Sequence, residues 1–158
     1  MMAPRELLLG GFHAALAAAD PLKIVGAHLP KPPASKKGRT LVVGAGKAAA
    51  SMALAVEQHW PAAAPLDGLV ITRYQHGLLT YRITVIEAGH PVPDEAGEKA
   101  AHEILRRVKA LTANDQLLVL VSGGGSSLLT LPTEGIAIDD IKNLTQQLLA
   151  SGAPIQSM

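Results

Sequence analysis

Four short apolar runs, each leading into glycine or polar residues, limit the folds that this chain can adopt. The runs occupy residues 40–43, 69–72, 83–86 and 116–121. Their β-branched residues and glycine-bounded ends are typical of buried strands. Residues 117–121 are all apolar, which favours a strand covered on both faces. Because helical patterns separate most of these runs, the sequence predicts an α/β fold with a mostly parallel sheet and helices on both faces.

The helical segments are predicted from apolar spacing and from capping signals. They are expected around residues 7–16, from Asp20-Pro21 onwards, over 47–56, from 94 towards 111 and around 138–148, with Gly152 as the last C-terminal cap. Residues 74–82 are too few for a helical crossover. The second and third strands are therefore expected to be antiparallel or joined irregularly.

Composition excludes several classes of protein. A chain of 158 residues with 48% hydrophobic residues can form one domain with a real core. Its net charge of +1 and its 3% aromatic content argue against a nucleic-acid partner. Without cysteine there is no disulfide or thiolate metal site. We expect no signal peptide and no membrane partner, which makes the cytoplasm the default location.

A glycine-rich turn links the first predicted strand to the helix after it. Gly44, Ala45, Gly46 and Lys47 open a G-x-G-x-x-A pattern, which can aim helix N-terminal amides at a phosphate. A plain packing turn would use glycines in the same way. Lys47 favours an anion, because a cation in the first helical turn opposes the helix dipole unless an anion lies beside it. A tolerated surface lysine is the alternative.

This turn differs from two common nucleotide-binding motifs. The Walker A spacing G-x-x-x-x-G-K-[ST] does not occur around Lys47. Folds that bind NAD place an acidic residue at the end of the next strand for the ribose hydroxyls, whereas that run ends here at Thr72 and Arg73. An arginine suits a 2′-phosphate, so a reductase that uses NADPH stays open as an alternative.

A second glycine-rich turn follows the last predicted strand. It consists of Ser122, Gly123, Gly124, Gly125, Ser126 and Ser127. Three glycines let the backbone wrap closely around an anion, and the hydroxyls can donate to phosphate oxygens. A phosphate or carboxylate loop is the favoured interpretation, and a flexible turn is the other. The G-x-S-x-G elbow of serine hydrolases is absent.

A third motif, residues 87–95, follows the third predicted strand. Its two prolines stiffen the loop and bias His90 towards an extended backbone. His90 is a candidate for substrate contact, with a role in the turn as the alternative. Asp94 has the position of a helix N-cap. Arg73 ends the second run at the same predicted sheet edge, either as a ligand-binding residue or as a solvated loop residue.

Together these motifs resemble the glycerate 2-kinase family, whose members are often labelled hydroxypyruvate reductase. The similarity is carried by residues 41–48, 89–94, 120–127 and 151–155. None of these strings is specific alone, but they occur in the family's order across nearly the whole chain. The resemblance implies a Rossmann-like N-terminal domain over residues 1–158, and an active site that faces a separate C-terminal domain.

The resemblance also implies phosphorylation of the 2-hydroxyl of glycerate by ATP, with Mg²⁺ bridging the nucleotide phosphates and no dedicated metal site in this chain. Lys47 matches the lysine regarded as catalytic in the family. The resemblance implies that nucleotide or substrate is bound by residues 44–46 and 122–127, His90 and Arg73. Which glycine loop binds ATP and which binds glycerate stays open. Hydroxypyruvate reduction with NAD(P)H and a non-catalytic anion-binding fragment are the alternatives.

Length is the departure from this family, whose chains continue well beyond 158 residues. We therefore expect this chain to be truncated relative to the family and to lack the C-terminal domain. Alone, it is expected to bind nucleotide weakly, to show no glycerate phosphorylation and to form homo-oligomers.

Overall fold

The computed structural model describes residues 3–35 and 37–154; the remainder of the predicted 1–158 domain, including residue 155 of the last family motif, lies outside the described residues. The described strands are β1 (Thr40–Ala45), β2 (Leu66–Arg73), β3 (Ile83–Ala88) and β4 (Gln116–Val121). The helices are α1 (Pro4–Ala18), α2 (Pro21–Ile24), α3 (Ala49–His59), α4 (Glu95–Lys109), α5 (Gly125–Leu128) and α6 (Ile138–Ser151), with a 3₁₀ turn at Val25–His28. The sequence predicted all of these elements except the 3₁₀ turn and α5, with bounds that differ by a few residues.

The four strands form one parallel sheet in the order β3-β2-β1-β4. Thr40 of β1 lies opposite Leu66 of β2 on one side and opposite Gln116 of β4 on the other. The predicted α/β fold is confirmed. The chain runs outward from β1 to β2 and β3 and then returns to place β4 on the other side of β1. The carboxyl ends of β1 and β4 are thus the switch point where open α/β sheets bind ligands.

The side chains of β1 alternate between two cores, one on each face of the sheet. Leu41, Val43 and Ala45 pack with residues of α4 such as Ala100 and Ile104. On the opposite face the core consists of Val42 and Leu120 with Ala49, Ala53 and Val56 of α3. Full burial of an aliphatic side chain contributes about 1.5–3 kcal/mol. Helices therefore cover both faces of β1, as predicted.

The edge strand β4 departs from its prediction of burial on both faces. Leu118 and Leu120 pack against the core beneath α3, but Leu117, Val119 and Val121 are 41%, 54% and 70% exposed. The cause is the position of α4, which packs on β1, β2 and β3 and leaves the same face of β4 uncovered. An apolar strand at a sheet edge is a surface that favours association.

The N-terminal helix α1 forms as the apolar spacing predicts, but it has no buried residue. Leu8 and Phe12 are 74% and 59% exposed. The start of α2 is as predicted, since the Asp20 carboxylate caps it by accepting from the Leu22 amide at 3.1 Å. Within the described ranges, no single helix is long and apolar enough to cross a membrane; α1 and residues Pro21–His28, bent by 55°, pass that test only as a pair.

The short connection between β2 and β3 runs irregularly and returns the chain to a parallel strand, so the antiparallel alternative is wrong. Nine extended residues reach roughly 30 Å, enough to pass back along a strand. The Glu57 carboxylate of α3 holds the returning chain by accepting from the amides of Tyr81, Arg82 and Ile83 at 2.6–3.1 Å. The Glu87 carboxylate acts in the same way at the other end, since it accepts from the Gly77 amide at 2.7 Å.

Glu57→Gln should lower the free energy of unfolding by about 1–3 kcal/mol. The carboxylate of Glu57 accepts from three backbone amides, whereas the side-chain amide of glutamine has only one acceptor oxygen and places an NH₂ donor where the second oxygen was. Urea unfolding monitored by circular dichroism measures the change. Glu134→Gln, in an exposed loop, is the matched control and should change stability by less than about 0.5 kcal/mol. Equal effects of the two substitutions would show that Glu57 does not hold the connection.

Candidate functional site

The two predicted glycine turns lie side by side at the switch point and are hydrogen-bonded to each other. The Lys47 amide donates to the Gly123 carbonyl at 2.9 Å, and the Ala48 amide donates to Ser122 Oγ at 3.1 Å. In return, the Ser122 amide donates to the Ala45 carbonyl at 3.2 Å. The turn after β1 and the turn after β4 therefore form one unit.

These bonds change what the first turn can offer a ligand. The Gly46 amide donates to the Ile71 carbonyl at 3.0 Å, so the amides of Gly46, Lys47 and Ala48 all have acceptors within the protein. The sequence predicted that amides of this turn bind a phosphate, but in the structure these three already donate within the protein. Moreover α3 begins at Ala49 with Ala48 as its cap, so Lys47 lies outside the first helical turn. What remains for a ligand is the exposed Lys47 side chain.

The second turn keeps its amides available. In the part of the chain that the structure describes, the amides of Gly123, Gly124, Gly125, Ser126 and Ser127 donate to no backbone or side-chain acceptor. Gly124 has φ of +87°, a left-handed conformation. Successive amides around such a residue point into one concavity and attract anions. Short α5, which starts inside this run, escaped prediction because three consecutive glycines read as a loop.

The Lys47 side chain approaches this second turn at Gly123. A Cβ atom added at Gly123 would lie 3.7 Å from Lys47 Cε. The Lys47 side chain therefore lies against Gly123, at the start of the glycine loop. No ion pair among the residues described involves Lys47 or Arg73.

His90 joins the glycine loop from the third motif. Its Nδ1 lies 2.6 Å from Ser127 Oγ, and its ring covers Gly124, where an added Cβ would lie 2.8 Å from the ring's Cε1. Burial, and then the nearby charges of Lys47 and Arg73, lower the pKa of His90 below its ordinary value. The structure thus brings together Lys47, Arg73, His90 and the 122–127 loop. The sequence analysis placed these residues at the same edge of the sheet.

Two acidic side chains at this edge serve the backbone. Asp94 caps α4 as predicted, accepting from the Gly97 amide at 3.0 Å, and it also accepts from Tyr74 Oη at 2.7 Å. Burial raises the pKa of Asp94, but these hydrogen bonds outweigh burial and leave it below the ordinary value. The bond to Asp94 raises the pKa of Tyr74. The Gly77 amide, bound to Glu87, lowers the pKa of Glu87.

Two cavities flank the glycine loop and share Gly124 and Ser126. One, of about 320 Å³, opens towards the uncovered face of β4 and includes Val119 and Val121. The other, of about 420 Å³, lies between the His90 loop and α6. The glycine loop therefore lies between two cavities, and a ligand in either cavity could contact Gly124 and Ser126.

Comparison with known proteins identifies a family for this chain. Residues 7–158 match the family described as Domain of unknown function (DUF4147). The chain belongs to this family. Its relatives include a Pyrococcus horikoshii protein named glycerate 2-kinase, 44% identical over 122 residues, or 77% of this chain and 27% of the relative. Another, from Agrobacterium vitis, is 48% identical over 154 residues and is provisionally named hydroxypyruvate reductase; the match covers 98% of this chain and 34% of the relative.

Two solved structures share the fold. A Thermotoga maritima glycerate kinase has a TM-score of 0.78 at 38% identity, covering 96% of this chain and 36% of that one. A Pyrococcus horikoshii protein has the same TM-score at 39% identity, covering 99% of this chain and 37% of the other. The chain thus spans about a third of the length of these relatives.

In this DUF4147 chain, the contact that sequence reasoning missed is the one between Ser127 and His90. They are 37 positions apart, and no local pattern links a loop histidine to a serine in another loop. The interleaved prolines gave the only signal, since they indicated a rigid His90 loop. Ser127 was expected to bind a ligand, but its hydroxyl is engaged with His90 and with the Gly124 carbonyl.

Gly124→Ala should destabilise the protein more than Gly135→Ala. Both glycines have φ of +87°, but an added Cβ has open space at Gly135 and meets the His90 ring at Gly124. The shared backbone strain costs about 1–2 kcal/mol, and the clash at Gly124 adds roughly 1 kcal/mol or more. Urea unfolding measures both losses, and NMR signals of the His90 ring report its displacement. Equal losses with unmoved His90 signals would contradict the described packing.

Proposed function

We propose that this chain belongs to a glycerate 2-kinase, an enzyme that transfers the γ-phosphoryl group of ATP to the 2-hydroxyl of glycerate. In this proposal the chain forms one wall of the active-site cleft, and that wall binds phosphate groups. The observation that carries the proposal is the approach of the Lys47 side chain to Gly123, in a loop whose amides are available, at the sheet's switch point. The relatives named glycerate 2-kinase support the reaction class.

Charge at the site favours two anionic substrates. Lys47 and Arg73 are exposed cations that belong to no ion pair of the described chain, while Asp94 and Glu87 accept backbone hydrogen bonds. ATP and glycerate would bring the negative charge that the site lacks. Phosphoryl transfer depends mainly on positioning and on charge stabilisation, which these groups can supply.

Each group has a separate task in this proposal. Lys47 stabilises charge that develops on the transferred phosphoryl group. The amides of residues 123–127 orient phosphate or carboxylate oxygens, and Arg73 adds a second cation. Within residues 3–35 and 37–154 no cluster of three or more acidic or histidine side chains could hold a metal, so we assign no metal ligand here. Mg²⁺ enters only as the ion that ATP carries on its phosphates.

We propose further that residues 1–158 act as one domain of a larger enzyme, because the matching regions make up only 27% and 29% of two relatives named as 2-kinases of glycerate. One wall cannot align two substrates or exclude water, and alignment supplies much of the rate. In isolation, the uncovered face of β4 offers a surface through which copies of the chain could associate.

The first test of function assays the product of the complete reading frame that encodes this chain. We expect ADP to form from ATP only when glycerate is present, and ³¹P NMR to show phosphate on the 2-hydroxyl. Hydroxypyruvate reduction is the second candidate, favoured by the name of the Agrobacterium vitis relative and by Arg73 at the end of β2. NADPH oxidation by hydroxypyruvate without ATP turnover would establish that reductase and exclude the kinase.

In the product of the complete reading frame, Lys47→Ala should lower kcat by about 100-fold or more, because a contact with transition-state charge contributes a few kcal/mol. Folding should be nearly unchanged, since the Lys47 side chain is exposed. Lys109→Ala is the matched control: Lys109 ends α4, away from the carboxyl ends of the strands, and its loss should leave kcat within twofold. A folded Lys47→Ala enzyme with ordinary kcat would make Lys47 a surface residue.

A further inference from the structure

The Ser127 hydroxyl lies between two groups but has one proton to donate. Its oxygen is 2.6 Å from His90 Nδ1 and 3.2 Å from the Gly124 carbonyl oxygen. If Ser127 donates to Gly124, then Nδ1 must carry a proton and donate to Ser127. This arrangement satisfies all three groups and leaves a lone pair on His90 Nε2.

The surroundings of the ring keep it in place and disfavour its charged form. The ring rests on Gly124, which has no side chain to displace it. The charges that act on it are Lys47, from the turn after β1, and Arg73, from the end of β2. Asp94 at the start of α4 is engaged by Tyr74 and by the Gly97 amide. His90 therefore faces cations and lacks a carboxylate partner that would hold it protonated.

We propose that His90 Nε2 is the proton acceptor in the phosphoryl transfer, and that Ser127 is a positioning residue that fixes its tautomer. This inference rests on the proposed glycerate 2-kinase function. The 2-hydroxyl oxygen of glycerate forms a bond to the γ-phosphorus while its O–H bond breaks and the proton passes to Nε2. The bond from the γ-phosphorus to the bridging oxygen breaks, and its electron pair leaves with ADP. The imidazolium then returns its proton to water.

His90 is only partly buried and lines the cavity of about 420 Å³ beside the glycine loop, so a ligand can reach its ring. A general base must be neutral at the working pH and have an accessible lone pair. Burial, with Lys47 and Arg73, places the pKa of His90 below its ordinary value of 6.5, so the ring is neutral at pH 7. Protonation removes the base as the pH falls. kcat/KM should therefore decrease on the acidic side, with an apparent pKa below 6.5.

The tautomer can be measured without any activity, in this chain itself, by ¹⁵N NMR of the histidine rings. We expect neutral His90 to carry its proton on Nδ1. Ser127→Ala should shift the proton towards Nε2, and Ser127→Thr, which keeps a hydroxyl, should restore it. Ser151→Ala is the matched control, because Ser151 makes the same type of bond to the carbonyl three residues before it. A proton on Nε2 in the wild-type chain would overturn the proposed relay.

The kinetic test uses the product of the complete reading frame. His90→Gln should lower kcat by about 100-fold with little change in KM for ATP, and should remove the acidic limb of the pH profile. His102→Gln, on an exposed position of α4, should leave both unchanged. An active His90→Gln enzyme with an unaltered pH profile would overturn the inference while leaving the kinase function intact. Absence of ATP turnover in the wild type would overturn the kinase function and the role of His90 together.

Discussion

The hydrogen bonds between the two glycine turns are the constraint on which the candidate site depends. The amides of Lys47 and Ala48 donate to the Gly123 carbonyl and to Ser122 Oγ, respectively. These two amides of the first turn are therefore not available to a ligand. These bonds fix the position of the second turn, whose own amides stay available, and the Lys47 side chain lies against Gly123. A ligand at this point would meet a cation from one turn and amides from the other. Neither turn alone offers both.

The sheet topology explains why these turns meet. β1 and β4 are neighbours in the sheet although 70 residues lie between the end of β1 and the start of β4. Both turns follow the carboxyl ends of these parallel strands. The apolar runs predicted the strands because burial of β1 on both faces demands such runs. They could not predict that β3 lies parallel to β2, since Glu57 and Glu87 hold a connection with no local pattern. The open face of β4 was equally hidden, because it depends on where α4 lies.

The site shows the same division between local and distant information. Lys47, Asp94 and the triple glycine were recognisable because each lies next to a strand or helix end, where the sequence has a known structural consequence. The Ser127–His90 contact and the loss of the first turn's amides arise from pairing between segments far apart in the chain. Sequence therefore indicated which residues gather at the sheet edge, whereas only the packing shows which of their polar groups remain available to a ligand.

The electrostatic balance of the edge follows from how the backbone uses its acids. Asp94 caps the N-terminus of α4 and accepts a hydrogen bond from Tyr74. Glu87 accepts from the Gly77 amide in the connection before β3. Had either carboxylate been free to pair with Lys47 or Arg73, the cations would be neutralised and would have to be separated from it before an anion could bind. Because backbone amides hold both carboxylates, the positive charge stays directed outward. The same cations disfavour protonation of His90, so anion binding and proton acceptance depend on one charge arrangement.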